Sequence, residues 1–216
     1  MKFTFPHMGN TYASIKVLFD TIGIDYELPP LSSKRTLEYG VKNSPEFICL
    51  PFKLVLGDLI QGLNKGADVV LFGGGCGQCR LGYYGDLLTK ILRDLGYKFE
   101  YLQIDFSKMT YREFIERVKS VAPKTNALKI FWGVFLAVCT VFMVDNLHKK
   151  SNRIRCRELI SGTTDGIMKD FKADVLKAKG FLQVKKTIKE CSRALSRVAI
   201  DKDKNPIKIS IVGEIF

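Results

Sequence analysis

This chain is poor in several features that would narrow its function. It has two histidines and one tryptophan in 216 residues. His7 and His148 lie far from each other and from any cysteine pair, so a zinc finger built on paired Cys and His ligands is excluded. Only one Cys-x-x-Cys occurs, and Cys139, Cys156 and Cys191 form no second pair. The N-terminus Phe3-Thr4-Phe5-Pro6-His7 has no apolar core with a small-residue cleavage site, so it does not read as a signal peptide. The longest apolar run, Ile130 to Val144, is short for a membrane span and is expected to be a buried helix. No glycine-rich loop ends in Gly-Lys-Ser/Thr, which removes a phosphate loop. No Ser-His-Asp order suggests a hydrolase, and there is no internal repeat or low-complexity tract.

What is present describes a globular protein. Hydrophobic residues make up 46% of the chain, enough for one core, or one domain with an appendage. Six cysteines without a secretion signal point to a reducing, cytoplasmic compartment, where thiols act as ligands, redox groups or core filler. Charge is uneven. Residues 1–121 carry 15 Lys+Arg against 13 Asp+Glu, whereas residues 122–205 carry 18 against 8. A basic helical half is most simply a solvated face, and it could attract an acidic partner or a phosphorylated cofactor such as coenzyme A. Nucleic acid ranks behind these, and no membrane partner is expected.

Apolar spacing and punctuation give the expected elements. Lys2–Pro6 reads as a strand, Thr11–Ile22 as a helix stopped by Gly23, and Asp25–Leu28 as a strand broken by Pro29-Pro30. Ser32 or Ser33 caps a short helix ending near Gly40. Ser44-Pro45-Glu46 reads as a helix start running towards Gly62, with Pro51 as a kink. Ala67–Phe72 is the central strand, followed by a helix from about Tyr83, a strand over Lys98–Ile104 and a helix over Thr110–Val121. One long helix is expected from Asn126 to about Leu159. Further helix follows from Thr164 to about Val198, interrupted near Gly180, and then a strand over Ile207–Val212.

Strand–helix alternation through residue 121 predicts an α/β fold with a doubly wound, mostly parallel, Rossmann- or flavodoxin-like sheet. The expected organisation is an α/β domain over residues 1–125, completed by the strand 207–212, with a helical extension over 126–205. A chain stopping just after a strand reads as an N-terminal fragment of a two-domain protein.

The chemistry-bearing motif is Gly73-Gly74-Gly75-Cys76-Gly77-Gln78-Cys79-Arg80, placed just after the central strand. Glycines there let backbone approach a bulky ligand. Cys49, in Ile48-Cys49-Leu50-Pro51-Phe52-Lys53, supplies a third thiol on another element. Three thiols favour an iron–sulfur cluster, with Lys53 and Arg80 offsetting its charge. Zinc and a simple dithiol oxidoreductase remain the alternatives. Cys139 and Cys191 read as core packing. Cys156, among Arg153, Arg155 and Arg157, reads as having no chemical role. His7 follows the first strand and could reach the site, although a turn histidine without chemical duty is the simpler reading.

Several short motifs occur in order: Phe5-Pro6-His7-Met8-Gly9-Asn10, Pro29-Pro30, Cys49-Leu50-Pro51-Phe52-Lys53, Gly74-Gly75-Cys76-Gly77-Gln78-Cys79-Arg80 with Gly82-Tyr83-Tyr84, and Val212-Gly213-Glu214-Ile215. Together they resemble the 2-hydroxyacyl-CoA dehydratase and benzoyl-CoA reductase subunit family, closest to its activase-related branch. That resemblance implies Rossmann-like domains with helical additions. It implies a cluster of the 4Fe-4S type on Cys49, Cys76 and Cys79, with Gly74, Gly75, Lys53 and Arg80 around it. It further implies low-potential electron transfer from an ATP-dependent activator or fusion partner to a CoA-type substrate, in a homo- or hetero-oligomer. The chain would then be one component of a dehydratase- or reductase-like system. The departures are Gln78, where proline is common in the family, and Gly213-Glu214-Ile215, which normally opens a second domain. The alternative class is a non-enzymatic, partner- or nucleic-acid-binding module with structural or zinc-binding cysteines.

Overall fold

The architecture is taken from a computed structural model that describes residues 1–74, 80–105, 109–121, 125–207 and 209, without the side chains of Leu81 and Val121. Among the described residues the fold is α/β, with 63% helix around a small parallel sheet of three strands. Strand β1 (Phe3–Thr4) pairs with β2 (Val69–Gly74), which pairs with β3 (Glu100–Asp105), and both pairings are parallel. The helices are α1 (Thr11–Ile22), α2 (Lys34–Asn43), α3 (Leu50–Asn64), α4 (Tyr84–Asp94), α5 (Tyr111–Val121), α6 (Ala127–Arg155), α7 (Thr163–Lys177) and α8 (Gly180–Ser196).

The chain divides into two compact units. One comprises Met1–Tyr12 and Ile22–Ile130, and the other Ala13–Thr21 and, among the described residues after Ile130, 131–207 and 209. In the first unit, β2 is apolar on both faces because it is the middle strand, and Val69, Val70, Leu71 and Phe72 are all buried. Its core joins Val70 and Phe72 to Phe52, Leu56, Leu59 and Ile60 of α3 and to Tyr84, Leu88 and Leu92 of α4. The predicted strand over 25–28 is reduced to one parallel bridge, Tyr26 to Phe3. Two backbone bonds support it, from Phe3 N–H to the Asp25 carbonyl and from Glu27 N–H to the Phe3 carbonyl. Proline at 29 and 30 stops that pairing from extending, since proline cannot donate to a ladder.

Two expectations need correction here. Helix α3 begins at Leu50, with Cys49 as its N-cap residue, and not at Ser44. Pro51 therefore sits in the first turn, where its missing N–H costs nothing, and causes no kink. The stops were placed correctly: Gly23 and Gly96 close α1 and α4 with φ of +77° and +89°, conformations that disfavour side chains.

In the second unit, α7 and α8 are consecutive helices separated by Ala178 and Lys179 that pack against each other, and Val175, Val184, Ile188 and Leu195 are buried. Lys150 of α6 donates to the Ser192 carbonyl and hydroxyl of α8, at 2.6 and 2.9 Å. The second correction concerns α6. Its apolar half was expected to be buried, yet only 22% of its most apolar 18 residues are, at a mean hydropathy of 2.2. By length and composition alone α6 is capable of crossing a membrane. Of the strand expected over 207–212, Ile207 and Ile209 are exposed and lie in no strand, and the other positions lie outside the described residues.

Candidate functional site

The candidate site is built where α3 and α4 begin, beyond the carboxyl end of β2. Cys49 is exposed and occupies the N-cap position of α3 in extended backbone, with φ −66° and ψ 154°. Its thiol meets the hydroxyl of Tyr84, the first residue of α4. Tyr84 is itself fixed: it is buried, and its ring packs edge-on against Phe52 at 4.8 Å. Cys49 is therefore held against the start of α4 by a core aromatic residue 35 positions away in sequence.

The loop that carries Cys49 is positioned by close packing of α2 on α3. A Cβ on Gly40 would lie 1.8 Å from the Lys53 carbonyl oxygen, and one on Gly57 would lie 2.0 Å from the Thr36 carbonyl oxygen. Thr36 is fully buried, and its Oγ1 accepts from Gln61 Nε2 at 2.8 Å and from the Ser33 N–H at 3.1 Å. These contacts tie both ends of the α2–α3 hairpin.

The expected site residues divide as follows. Gly74 is the last residue of β2, half-buried, with Gln103 Nε2 3.0 Å from where its Cβ would stand. Arg80 is exposed and opens a 3-10 turn, Arg80–Tyr83, leading into α4. Lys53 is partly exposed, and its Nζ donates to the Glu46 carbonyl at 3.2 Å, so it braces the Cys49 loop. Gly75, Cys76 and Cys79 lie outside the described residues. Among the described residues, no three His, Cys, Asp or Glu side chains form a group able to hold a metal ion. What the structure places together is Cys49, Tyr84 and Phe52; Gly74 ends β2 and Arg80 opens the turn into α4, on either side in sequence of Cys76 and Cys79.

His7 does not join this cluster. It is buried, its Nε2 bonds to the Pro29 carbonyl at 2.8 Å, and its ring stands edge-on to Tyr12 at 5.1 Å. Burial lowers its pKa. Beside it is a group the sequence reading missed. Asp58 is fully buried on α3, its Oδ2 accepts the His7 backbone N–H at 2.9 Å, and its Oδ1 accepts from the Ser32 hydroxyl at 3.4 Å. Burial pushes its pKa up to about 7, against the partial relief given by those two donors. The available signal was a single carboxylate inside Leu56-Gly57-Asp58-Leu59-Ile60. Such a residue needs internal hydrogen-bond donors.

The other cysteines are unremarkable in chemistry. Cys191 is buried in the second unit, where burial raises its thiol pKa to about 11 and makes it a poor nucleophile. Cys156 donates to the Arg153 carbonyl at 3.3 Å. No family model, no curated protein and no solved structure matches this chain.

Proposed function

We propose that this chain is an iron–sulfur protein of the 2-hydroxyacyl-CoA dehydratase kind, with Cys49, Cys76 and Cys79 as thiolate ligands. One observation carries the reading. The Cys49 thiol is seated against Tyr84, which follows Cys79 by five positions in sequence. The donor set suits the group, because clusters of this kind are held by thiolates. Bound there, a 4Fe-4S-type cluster supplies low-potential one-electron chemistry.

The chain's own residues have distinct tasks. Cys49 stands at the N-terminus of α3, where the helix's free N–H groups face negative charge. The Tyr84 hydroxyl is placed to donate to the Cys49 sulfur. Arg80 adds positive charge beside Cys79, and Lys53 holds the 46–53 loop closed. Gly74 and Gly75 give the backbone close approach to a bulky ligand.

The sheet supports a doubly wound topology. Counting the Tyr26 bridge, the spatial order is 25–27, β1, β2, β3, so the winding reverses between β1 and β2. Ligands in such sheets sit at the reversal, beyond the carboxyl ends of the strands, and residues 75–79 come directly after β2 in sequence. In this reading an ATP-dependent activator is the electron donor and a CoA-type acyl substrate the acceptor.

Anaerobic reconstitution with iron and sulfide tests the assignment. The expected outcome is a broad visible charge-transfer absorption with about four irons per chain, lost in both Cys49→Ser and Cys79→Ser. A colourless protein that binds one zinc ion would instead favour a structural cysteine site. Normal iron uptake by Cys49→Ser would remove Cys49 from the ligand set.

A further inference from the structure

The chemistry proposed above leaves one buried titratable group unused. Asp58 is the sole acidic residue of α3 and is fully buried. Its two oxygens face different surroundings. Oδ2 accepts the His7 N–H at 2.9 Å, which ties it to the turn after β1. Oδ1 accepts from the Ser32 hydroxyl at 3.4 Å, and Ser32 is exposed. Ser32 therefore connects an otherwise sealed carboxyl to solvent, and a proton taking that route lands on Oδ1. A carboxyl buried with two neutral donors and no cation is not committed to its ionised form. The same helix carries Cys49 as its N-cap residue, nine positions earlier. Nine residues of helix are ~14 Å long. At an effective dielectric of ~20, one added unit charge at ~14 Å moves an acid's midpoint by roughly one pH unit.

We propose that Asp58 is the proton-bearing residue of the candidate redox site: Oδ1 takes a proton from solvent through Ser32 when an electron arrives at the Cys49 end of α3, and releases it when the electron leaves. This role rests on a cluster held by Cys49, Cys76 and Cys79. One electron enters from the ATP-dependent donor and one proton from water. The electron then passes to the acceptor and the proton returns to water, so Oδ1–H is the one bond that forms and breaks on the chain. Ionised Asp58 opposes the incoming electron, so the reduction potential is lower where Asp58 is ionised. Burial raises its pKa to about 7, which sets the lower edge of the window. The added electron moves the upper edge to about 8. The titratable groups around it change charge elsewhere. Burial lowers the pKa of His7, and it pushes Tyr12, edge-on to His7, up to about 12. Lys65, beyond the end of α3, pairs with Glu27. Burial raises the Glu27 carboxyl, but Lys2 and Lys65 more than offset this and hold it below its usual range.

Redox titration of the iron-loaded full chain from about pH 6 to about pH 9 tests this. The expected midpoint is flat below about pH 7, falls over about one pH unit and is flat again above, a roughly tenfold change in the reduction equilibrium, or about 59 mV for one electron. Infrared difference spectra at about pH 7.5 should show a protonated-carboxyl band that grows on reduction, because that pH lies between the two midpoints. Asp58→Asn should load iron, lack the band and hold the acid-side potential at every pH. Ser32→Ala, altered at an exposed position, removes a donor to the ionised carboxylate and should move the window to higher pH. A coloured wild type whose potential ignores pH would overturn the proposal and leave the cluster standing. A pH slope retained in Asp58→Asn would do the same. So would an unmoved window in Ser32→Ala, which decides the matter if Asp58→Asn does not fold. A colourless wild type would overturn the cluster assignment and this role with it.

Discussion

At the scale of single residues, Asp58 makes the sharpest demand. Its carboxyl is fully buried and receives hydrogen bonds from the His7 backbone and Ser32. Its pKa rises to about 7 from an ordinary value of 3.8, so between those limits the folded chain holds a proton the unfolded chain has released. Asp58 therefore contributes stability that is fully present below about pH 4 and declines as pH rises towards about pH 7, by on the order of 4 kcal/mol. His7 acts in the opposite sense. Its lowered pKa makes folding more favourable as pH rises towards 6.5. Asp58→Asn keeps an acceptor for the His7 N–H and removes the charge. Urea midpoints at about pH 5 and about pH 8 should show the variant gaining on wild type at the higher pH. An unchanged difference between the two pH values would exclude Asp58 as the titrating group. A second residue prediction concerns Tyr84. Hydrogen bonds to cluster sulfurs raise the reduction potential, so reconstituted Tyr84→Phe should keep its iron content and show a more negative potential by redox titration. Loss of iron instead would mean that the hydroxyl is needed to hold Cys49 in place. Neither contact was legible in the sequence, because each joins positions far apart: 35 residues for Cys49 and Tyr84, and 51 for His7 and Asp58.

At the scale of elements, glycines in helices give opposite predictions at two sites. Replacing glycine by alanine in a helix favours folding by about 1 kcal/mol through propensity. Gly166 of α7 has nothing within 4 Å of where a Cβ would stand, so Gly166→Ala should realise that gain. Gly57 of α3 faces the Thr36 carbonyl oxygen, which a Cβ would meet at 2.0 Å. Gly57→Ala should therefore force α2 from α3 and lose ~1–3 kcal/mol, with iron uptake impaired because the hairpin carries Cys49. Denaturant unfolding of the two variants side by side checks the contrast in sign. Much of this level could be read directly. The stops at Gly23 and Gly96, the boundaries of α1 and the interruption at Gly180 all follow from local chemistry. Two features misled. Ser44-Pro45-Glu46 imitates a helix start, but the chain delays helix until Cys49, where Pro51 is equally well placed in the first turn. The apolar run in α6 was read as buried because its composition reveals that it is apolar all round, not which side finds a partner within the chain.

At the scale of the whole molecule, the two compact units differ in electrostatics. The first, 1–12 and 22–130, carries 16 Lys+Arg against 12 Asp+Glu, whereas residues 131–205 of the second carry 16 against 8, a net excess of eight positive charges. The ion pairs of the second unit offset part of this, as between Lys149 and Asp145 and between Arg155 and Asp165, but these are exposed and individually weak. Most of the excess is therefore left to mutual repulsion, which destabilises a compact state and is screened by salt over ~10 Å at 0.1 M. The expected outcome is a salt response that depends on the region observed. Trp132 emission monitors the second unit alone, and far-ultraviolet circular dichroism monitors the helices of both. Raising sodium chloride at constant pH should move the fluorescence transition to higher temperature while shifting the dichroism transition less. The two curves should converge as repulsion is screened. Coincident curves that move together at every salt concentration would show that the units unfold as one, with the charge excess shared across the entire cooperative structure.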